Sequence, residues 1–236
     1  MFRALRSVLR TGEGLANESH PTERRINYAR LYSFPEMSTL KRVGLLGPAL
    51  GAPAAVLACE PLLASGTGHI VFLGFGGAIA KTKQLRIGDV VLVTSSMNGT
   101  GAGASYHDTT HLTIQPSVLG ERLSTGLHSL VNSSKDFSIV QGTVWSTDSP
   151  YRTTMGTLDD LSAKGVVLVD MELSAIAALS VKYNREFSAI MIVTDLLSDS
   201  WEQGFHSPRV ATSTQLVCEH LAHVLENYYR ETLSAS

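Results

Sequence analysis

Cysteine is almost absent from this chain, with only Cys59 and Cys218 among 236 residues. Two thiols cannot build a disulfide scaffold or a cysteine-based zinc site, so a reducing compartment is the expectation. Charge is sparse as well: 19 Lys and Arg stand against 21 Asp and Glu, 17% of residues are charged, and the formal net charge is −2. A dedicated nucleic-acid binder is usually strongly basic, so that class is disfavoured. Long apolar runs are missing too. The longest nearly apolar stretch, residues 70–80, contains three glycines and falls well short of the roughly 20 residues that span a bilayer. There is no internal repeat and no low-complexity tract. What remains is an ordinary globular balance, 44% hydrophobic, in a chain long enough for one large domain with a substantial core.

The main domain is expected over residues 29–236, with residues 1–28 as an N-terminal extension or divergent first segment. Residues 1–12 carry Arg3, Arg6 and Arg10 and no acid, with Phe2, Leu5, Val8 and Leu9 available for an apolar face. That pattern resembles a mitochondrial presequence, and it equally suits an amphipathic surface helix or a solvated tail. A cytoplasmic location is the expectation, with the mitochondrion as the alternative if residues 1–12 act as a presequence.

Short β-branched runs alternate with longer helical patterns. The runs at 42–46, 69–73, 89–94, 138–145, 165–169 and 188–194 predict strands, several of them nearly all apolar, as strands covered on both faces tend to be. Helices are predicted at about 52–65, 117–133, 172–183 and 209–232, the first kinked or ended by Pro61. Such alternation implies an α/β fold, a mixed sheet with helices on both faces. The stretches 74–77, 97–112, 146–156 and 195–208 each follow a strand and read as irregular. Ligands in such folds bind at the carboxyl ends of strands, so a site is sought there.

Four groups of residues carry the chemistry. Gly74-Phe75-Gly76-Gly77 would let the backbone turn tightly and aim amides at an anion or a sugar, although glycine-rich turns also serve tight packing. Asp170-Met171-Glu172 closes one strand and opens a helix. A carboxylate there can accept both hydroxyls of a ribose diol, or it can simply cap the helix. Alternation sends Asp170 and Met171 to opposite faces, so one of the two acids at most is expected to share a pocket with Met171. Asp195 follows the apolar run 189–194, where partial desolvation lets an acid hold or share a proton and so protonate a leaving group. Its alternative role is a cap to the following loop, where Ser198, Asp199 and Ser200 supply turn chemistry. The 146–152 loop offers Tyr151 for stacking on a planar base and Arg152 for an anion or for Asp148. His107 reads as solvated, and His220 and His223 as surface residues, so no metal site is expected. No GxSxG elbow exists to anchor a serine nucleophile.

Together these residues resemble the nucleoside phosphorylase superfamily of purine nucleoside phosphorylases, uridine phosphorylases and methylthioadenosine/adenosylhomocysteine nucleosidases. The resemblance runs from about Arg30 to the terminal helix. Gly47-Pro48-Ala49-Leu50-Gly51-Ala52-Pro53 resembles the family's glycine-rich turn before its first long helix. The stretch 74–79 followed by 85–91 resembles its central loop and the next strand. Asp170-Met171-Glu172 is similar to its Glu-Met-Glu signature, and Asp195, 23 residues after Glu172, falls at the position of the catalytic acid of purine-cleaving members.

The resemblance implies a mixed sheet partly closed into a barrel and flanked by helices. It implies a homo-oligomer (dimer, trimer or hexamer), a nucleoside as substrate, no cofactor, and inorganic phosphate as the co-substrate. Asp195 is then the catalytic acid. Met171, Glu172 and Thr94 would bind ribose, with Phe75, Tyr151 and Val169 on the base. Gly76, Arg30 and Ser95 would serve the phosphate, Arg30 from a neighbouring subunit. The chain also departs from the pattern. Nothing in residues 1–29 resembles the family's Gly-Asp-Pro-x-Arg phosphate loop, and Phe72 and Phe75 stand where many phosphorylases carry an Arg and a Ser or Thr. An aromatic ring cannot neutralise phosphate. The expected activity is therefore N-glycosidic cleavage of the phosphorylase type. The alternatives are a hydrolytic nucleosidase and a non-catalytic nucleoside-binding paralogue.

Overall fold

The computed structural model describes residues 22–33, 43–82, 84–133 and 137–234. Residues 1–12, with their presequence-like pattern, and Arg42 at the start of the first expected strand lie outside the described residues. Strands β4 (His69–Ile79), β5 (Val90–Gly99), β7 (Ile139–Thr147), β8 (Val166–Asp170) and β9 (Glu186–Leu197) form the centre of the molecule. They run β9–β4–β8–β7–β5, and β5 pairs again with β9 through Val90 opposite Ile192, so the sheet closes into a five-stranded barrel. The closed mixed sheet follows the expectation. Two short strands extend its edges, β6 (His111–Thr113) on β5 and β10 (Glu202–Gln203) on β9.

The apolar runs make sense once both faces are covered. Val90, Leu92, Ile190 and Ile192 join a buried cluster with Leu119, Leu123 and Leu127 of helix α3 (Val118–Ser133) and Val217 and Leu221 of helix α6 (Pro208–Ser234). Their neighbours Val91, Val93, Met191 and Val193 belong to a second cluster with helices α1 (Ala52–Ala64) and α5 (Leu173–Lys182). A strand sandwiched this way has no need of polar alternation.

Several details differ from the sequence expectations. Residues 74–77 are not a loop: they lie within β4, paired along their length with β9, and Gly77 pairs with β8 on the other side. Residues 97–99 continue β5, a one-turn helix α2 (Gly101–Ala104) follows, and residues 195–197 complete β9. A helix α4 (Met155–Ala163) begins inside the stretch read as irregular. Pro61 does not end α1, which continues to Ala64. Proline removes the N–H that would bond to the carbonyl four residues back, and that carbonyl, Leu57, accepts instead from Asn27 Nδ2 at 2.6 Å.

Asn27 sits at the two-residue tip of a hairpin between β1 (Thr22–Ile26) and β2 (Ala29–Ser33), with φ of 53°. Asparagine tolerates this left-handed region better than most residues. The hairpin forms a separate three-stranded sheet with β3 (Gly44–Gly47), and the Asn27 contact ties its tip to α1.

Candidate active site

The carboxyl ends of β4, β8 and β9 open on one cavity of about 1080 Å³, with apolar walls from Leu46, Leu73, Phe75 and Val169 among others. A concave, mostly apolar pocket with few polar groups is the usual form of a small-molecule site. Among the sequence-predicted residues, Asp195, Met171, Glu172, Phe75, Tyr151, Val169 and Gly76 all line it.

Glu172 stands at the N-cap of α5 and is half-buried. Its Oε1 accepts the backbone N–H of Gly51, which precedes α1 with φ of 86°, a conformation suited to glycine. Burial pushes the Glu172 carboxyl above its ordinary value, against the opposing effect of the Gly51 and Met171 amides.

Asp170 does take the capping role. Its Oδ2 accepts the N–H groups of Leu173 at 2.8 Å and Glu172 at 3.2 Å. Oδ1 accepts the Ser146 hydroxyl at 2.5 Å, and Ser146 Oγ in turn accepts the N–H of Ser174. Complete burial pushes the Asp170 carboxyl up to about 7 despite these donors. Asp170, Met171 and Glu172 all contribute to the cavity wall, contrary to the expectation from alternation. The strand ends at Asp170 and the chain turns into α5, so the period of two no longer applies past that residue.

Asp195 lies near the end of β9, 9% exposed. A bulge precedes it: Val193 pairs with Gly76 and Asp195 with Gly77, leaving Thr194 as the extra residue. Bulges of this kind re-aim side chains beside active sites. The Thr194 hydroxyl donates to Asp195 Oδ1 at 2.9 Å, and the Trp201 indole N–H donates to Oδ2 at 2.9 Å. Gly77 gives the carboxylate room, since a Cβ there would lie 2.8 Å from Oδ2.

Thr94 and Ser95 are not among the residues lining the cavity, and Arg30 is the residue expected at a neighbouring subunit's site. Thr94 is the extra residue of a bulge in β5 and is exposed, within 3.3 Å of the Gly142 carbonyl. Ser95 is buried against Thr143, the two hydroxyl oxygens 2.6 Å apart. Arg30 lies on the hairpin, paired with Glu23 at 3.3 Å. Tyr151 reaches only the rim, 96% exposed on a 3₁₀ turn at Pro150–Arg152. Asp148 accepts the Gly101 amide at 2.8 Å and has no ion pair with Arg152. Among the described residues, no group of three or more His, Cys, Asp or Glu side chains could hold a metal ion. His220 faces the Leu123 carbonyl, and His223 faces Asn227.

The residues that sequence reasoning missed are Gly51, Thr194 and Trp201. Gly51 lies in a motif that stood out, but its partner is remote. Trp201 carried a weak signal, a large aromatic ring in an otherwise polar stretch.

The described residues include no helix long and apolar enough to cross a membrane. Comparison with known proteins identifies the family. The model of the phosphorylase superfamily matches residues 9–229, and the chain belongs to that superfamily. Its curated relatives include the DeoD-type purine nucleoside phosphorylase of Brevibacillus brevis, 25% identical over 156 residues, which are 66% of this chain and 64% of that protein. The DeoD-type enzyme of Bacillus cereus strain B4264 is 28% identical over 162 residues with the same coverage, 66% and 64%. The chain thus spans somewhat under two thirds of the length of these relatives. Among solved structures, the purine nucleoside phosphorylase of Toxoplasma gondii in complex with immucillin-H superposes with a TM-score of 0.75 at 18% identity, covering 98% of this chain and 89% of that one. Uridine phosphorylase from Vibrio fischeri gives a TM-score of 0.68 at 19% identity, covering 86% and 81%. At such identities the superpositions establish the fold.

Proposed function

We propose that this chain cleaves the N-glycosidic bond of a purine nucleoside. The observation that carries the reading is the presence of two acids of different environment, Glu172 and Asp195, on one largely apolar cavity. As the bond breaks, its electron pair leaves with the base and positive charge builds on the ribose. Glu172, fixed through one oxygen by Gly51, offers the other to the sugar hydroxyls. Asp195 supplies the proton that lets the base leave neutral. Groups preorganised for the developing charge provide most of the rate in such a step.

Phosphate is the proposed acceptor, giving ribose 1-phosphate, with no cofactor. Membership of the superfamily and the phosphorylase names of the relatives support this. A second reading, hydrolysis by water, rests on one observation: among the described residues lining the cavity there is no Lys or Arg. Phosphate binding usually draws on such a cation. The same reading has the chain assemble with copies of itself, covering exposed apolar side chains such as Tyr28, Leu50 and Leu57.

The deciding experiment is release of free base from a panel of purine and pyrimidine nucleosides, with and without inorganic phosphate. Release that requires phosphate supports phosphorolysis. Release without it supports hydrolysis. No release from any nucleoside overturns the catalytic reading and leaves a binding protein.

A further inference from the structure

One rung of the barrel holds the first turn of α5. Asn98 of β5 stands opposite Ser146 of β7, and Ser146 opposite Asp170 of β8, near the carboxyl ends of three neighbouring strands. The rung before it, Met97, Trp145 and Val169, is apolar and packs in one cluster with Met155, Leu158 and Leu161 of α4. Side chains alternate along a strand, so the polar rung faces the other way, toward α5. A helix start leaves its first N–H groups without partners in the helix, and here the rung supplies them.

Asp170 Oδ2 accepts the N–H groups of Glu172 and Leu173. Ser146 Oγ accepts the Ser174 N–H at 2.8 Å and donates its own hydrogen to Asp170 Oδ1 at 2.5 Å. A serine hydroxyl can do both at once. The Ser174 hydroxyl donates to Asn98 Oδ1 at 3.0 Å. Asn98 is fixed in its turn, because the same oxygen accepts the Thr100 N–H and hydroxyl at 3.0 and 2.8 Å. Gly103 closes over it, and a Cβ there would collide with that oxygen. Ser146 and Ser174 are fully buried, and neither they nor Asn98 line the cavity, so their influence on a ligand passes through Asp170 and Glu172. Glu172 lends no side chain to its own helix start. Its carboxylate is placed from two sides, through Oε1 by Gly51 and through the backbone N–H by Asp170.

We propose that Ser146 is a positioning residue for Glu172: by joining Asp170 to Ser174 it fixes how α5 leaves β8, and so where the free Glu172 oxygen meets the sugar hydroxyls. Without the Ser146 hydroxyl, Asp170 Oδ1 and the Ser174 N–H lose a partner together. Buried polar groups are costly to leave unpaired, so the helix start shifts and carries Glu172 with it. This inference rests on the reading of Glu172 as the sugar anchor in glycosidic cleavage.

Ser146→Ala is expected to raise KM for a purine nucleoside by roughly fivefold, the scale of one hydrogen bond, while inhibition by the free base stays as in wild type. A serine that only closes a buried network would change stability and the amount of folded protein, and KM depends on neither. The Glu172→Gln background then separates the routes. Residues that act through one another are not additive, so Ser146→Ala is expected to change KM by less than about twofold there. Ser174→Ala is the milder variant should Ser146→Ala fold poorly. It keeps the backbone N–H on Ser146, removes the tie to Asn98, and is expected to raise KM for the nucleoside by roughly two- to threefold, with free-base inhibition unchanged. An unchanged KM in the variant that folds, or an equal rise from Ser146→Ala in both backgrounds, overturns the positioning role and leaves glycosidic cleavage standing. No release of base from any nucleoside by the wild-type protein overturns both.

Discussion

The Glu172 carboxylate, at the start of α5, accepts the backbone N–H of Gly51, at the start of α1, across 121 positions of sequence. One hydrogen bond thus joins two helix starts on the cavity wall and leaves the other Glu172 oxygen available to a ligand. Replacement by Gln keeps an oxygen for Gly51 but removes the charge. Glu172→Gln is expected to raise KM for a nucleoside by roughly tenfold, the scale of one charge-assisted hydrogen bond. Inhibition by the free base should change little. Steady-state kinetics with both ligands test this, and equal losses for nucleoside and base would remove Glu172 as the sugar anchor.

Asp195→Asn retains an oxygen for Thr194 or Trp201 and cannot donate an acidic proton. Turnover of purine nucleosides should fall by about 10²–10⁴, the usual contribution of a positioned general acid. Affinity measured by calorimetry should stay within a few-fold of wild type. Full turnover in the variant would show that another group protonates the base.

Gly77 has a steric duty. A Cβ there would lie 2.8 Å from Asp195 Oδ2 and 3.0 Å from Leu197 Cγ, so Gly77→Ala must displace the carboxylate. Overpacking of this kind costs about 1–3 kcal/mol. The variant should lose activity more steeply than stability, since the clash falls on the acid itself. Denaturant titration beside kinetics checks the ratio, and wild-type activity would contradict the crowding.

Asp170 makes stability depend on pH. Burial raises its carboxyl to about 7 in the folded chain, whereas an exposed Asp titrates near 4. Between those values the folded state binds the extra proton. Its contribution is therefore fully present below about pH 4 and is lost as pH rises toward 7. Asp170→Asn cannot ionise and still offers an oxygen to the Leu173 amide. The stability of the variant minus that of wild type should rise from pH 4 to 7 and level off above. Parallel denaturation curves across that range would refute the assignment.

Much of the barrel was legible because its strands are covered on both faces. Residues 90–93 and 189–193 are apolar throughout and meet α3 and α6 on one side and α1 and α5 on the other. The β1–β2 hairpin gave no such signal, since four of the five residues of β1 are exposed and its order depends on pairing and on Asn27 meeting the Leu57 carbonyl. Gly74, Gly76 and Gly77 suggested a loop because glycine is locally permissive. Here they lie in a strand, all three paired with β9 and Gly77 with β8 as well.

In the site, Glu172 and Asp195 could be picked out as acids at strand ends, a property of order along the chain. Thr94 lies off the cavity lining as the extra residue of a one-residue bulge, and a bulge is a matter of register against β7 rather than of local composition.

Sequence alone therefore determined which acids this protein carries, where its strands and helices alternate, and the family pattern they match, because those depend on neighbours in the chain. The tertiary structure decided what each carboxylate does. Asp170 is spent on a helix start, Glu172 is half-engaged by Gly51, and Asp195 lies between Thr194 and Trp201. The burial and donors that set a carboxylate's chemistry come largely from elements that approach only when the barrel closes.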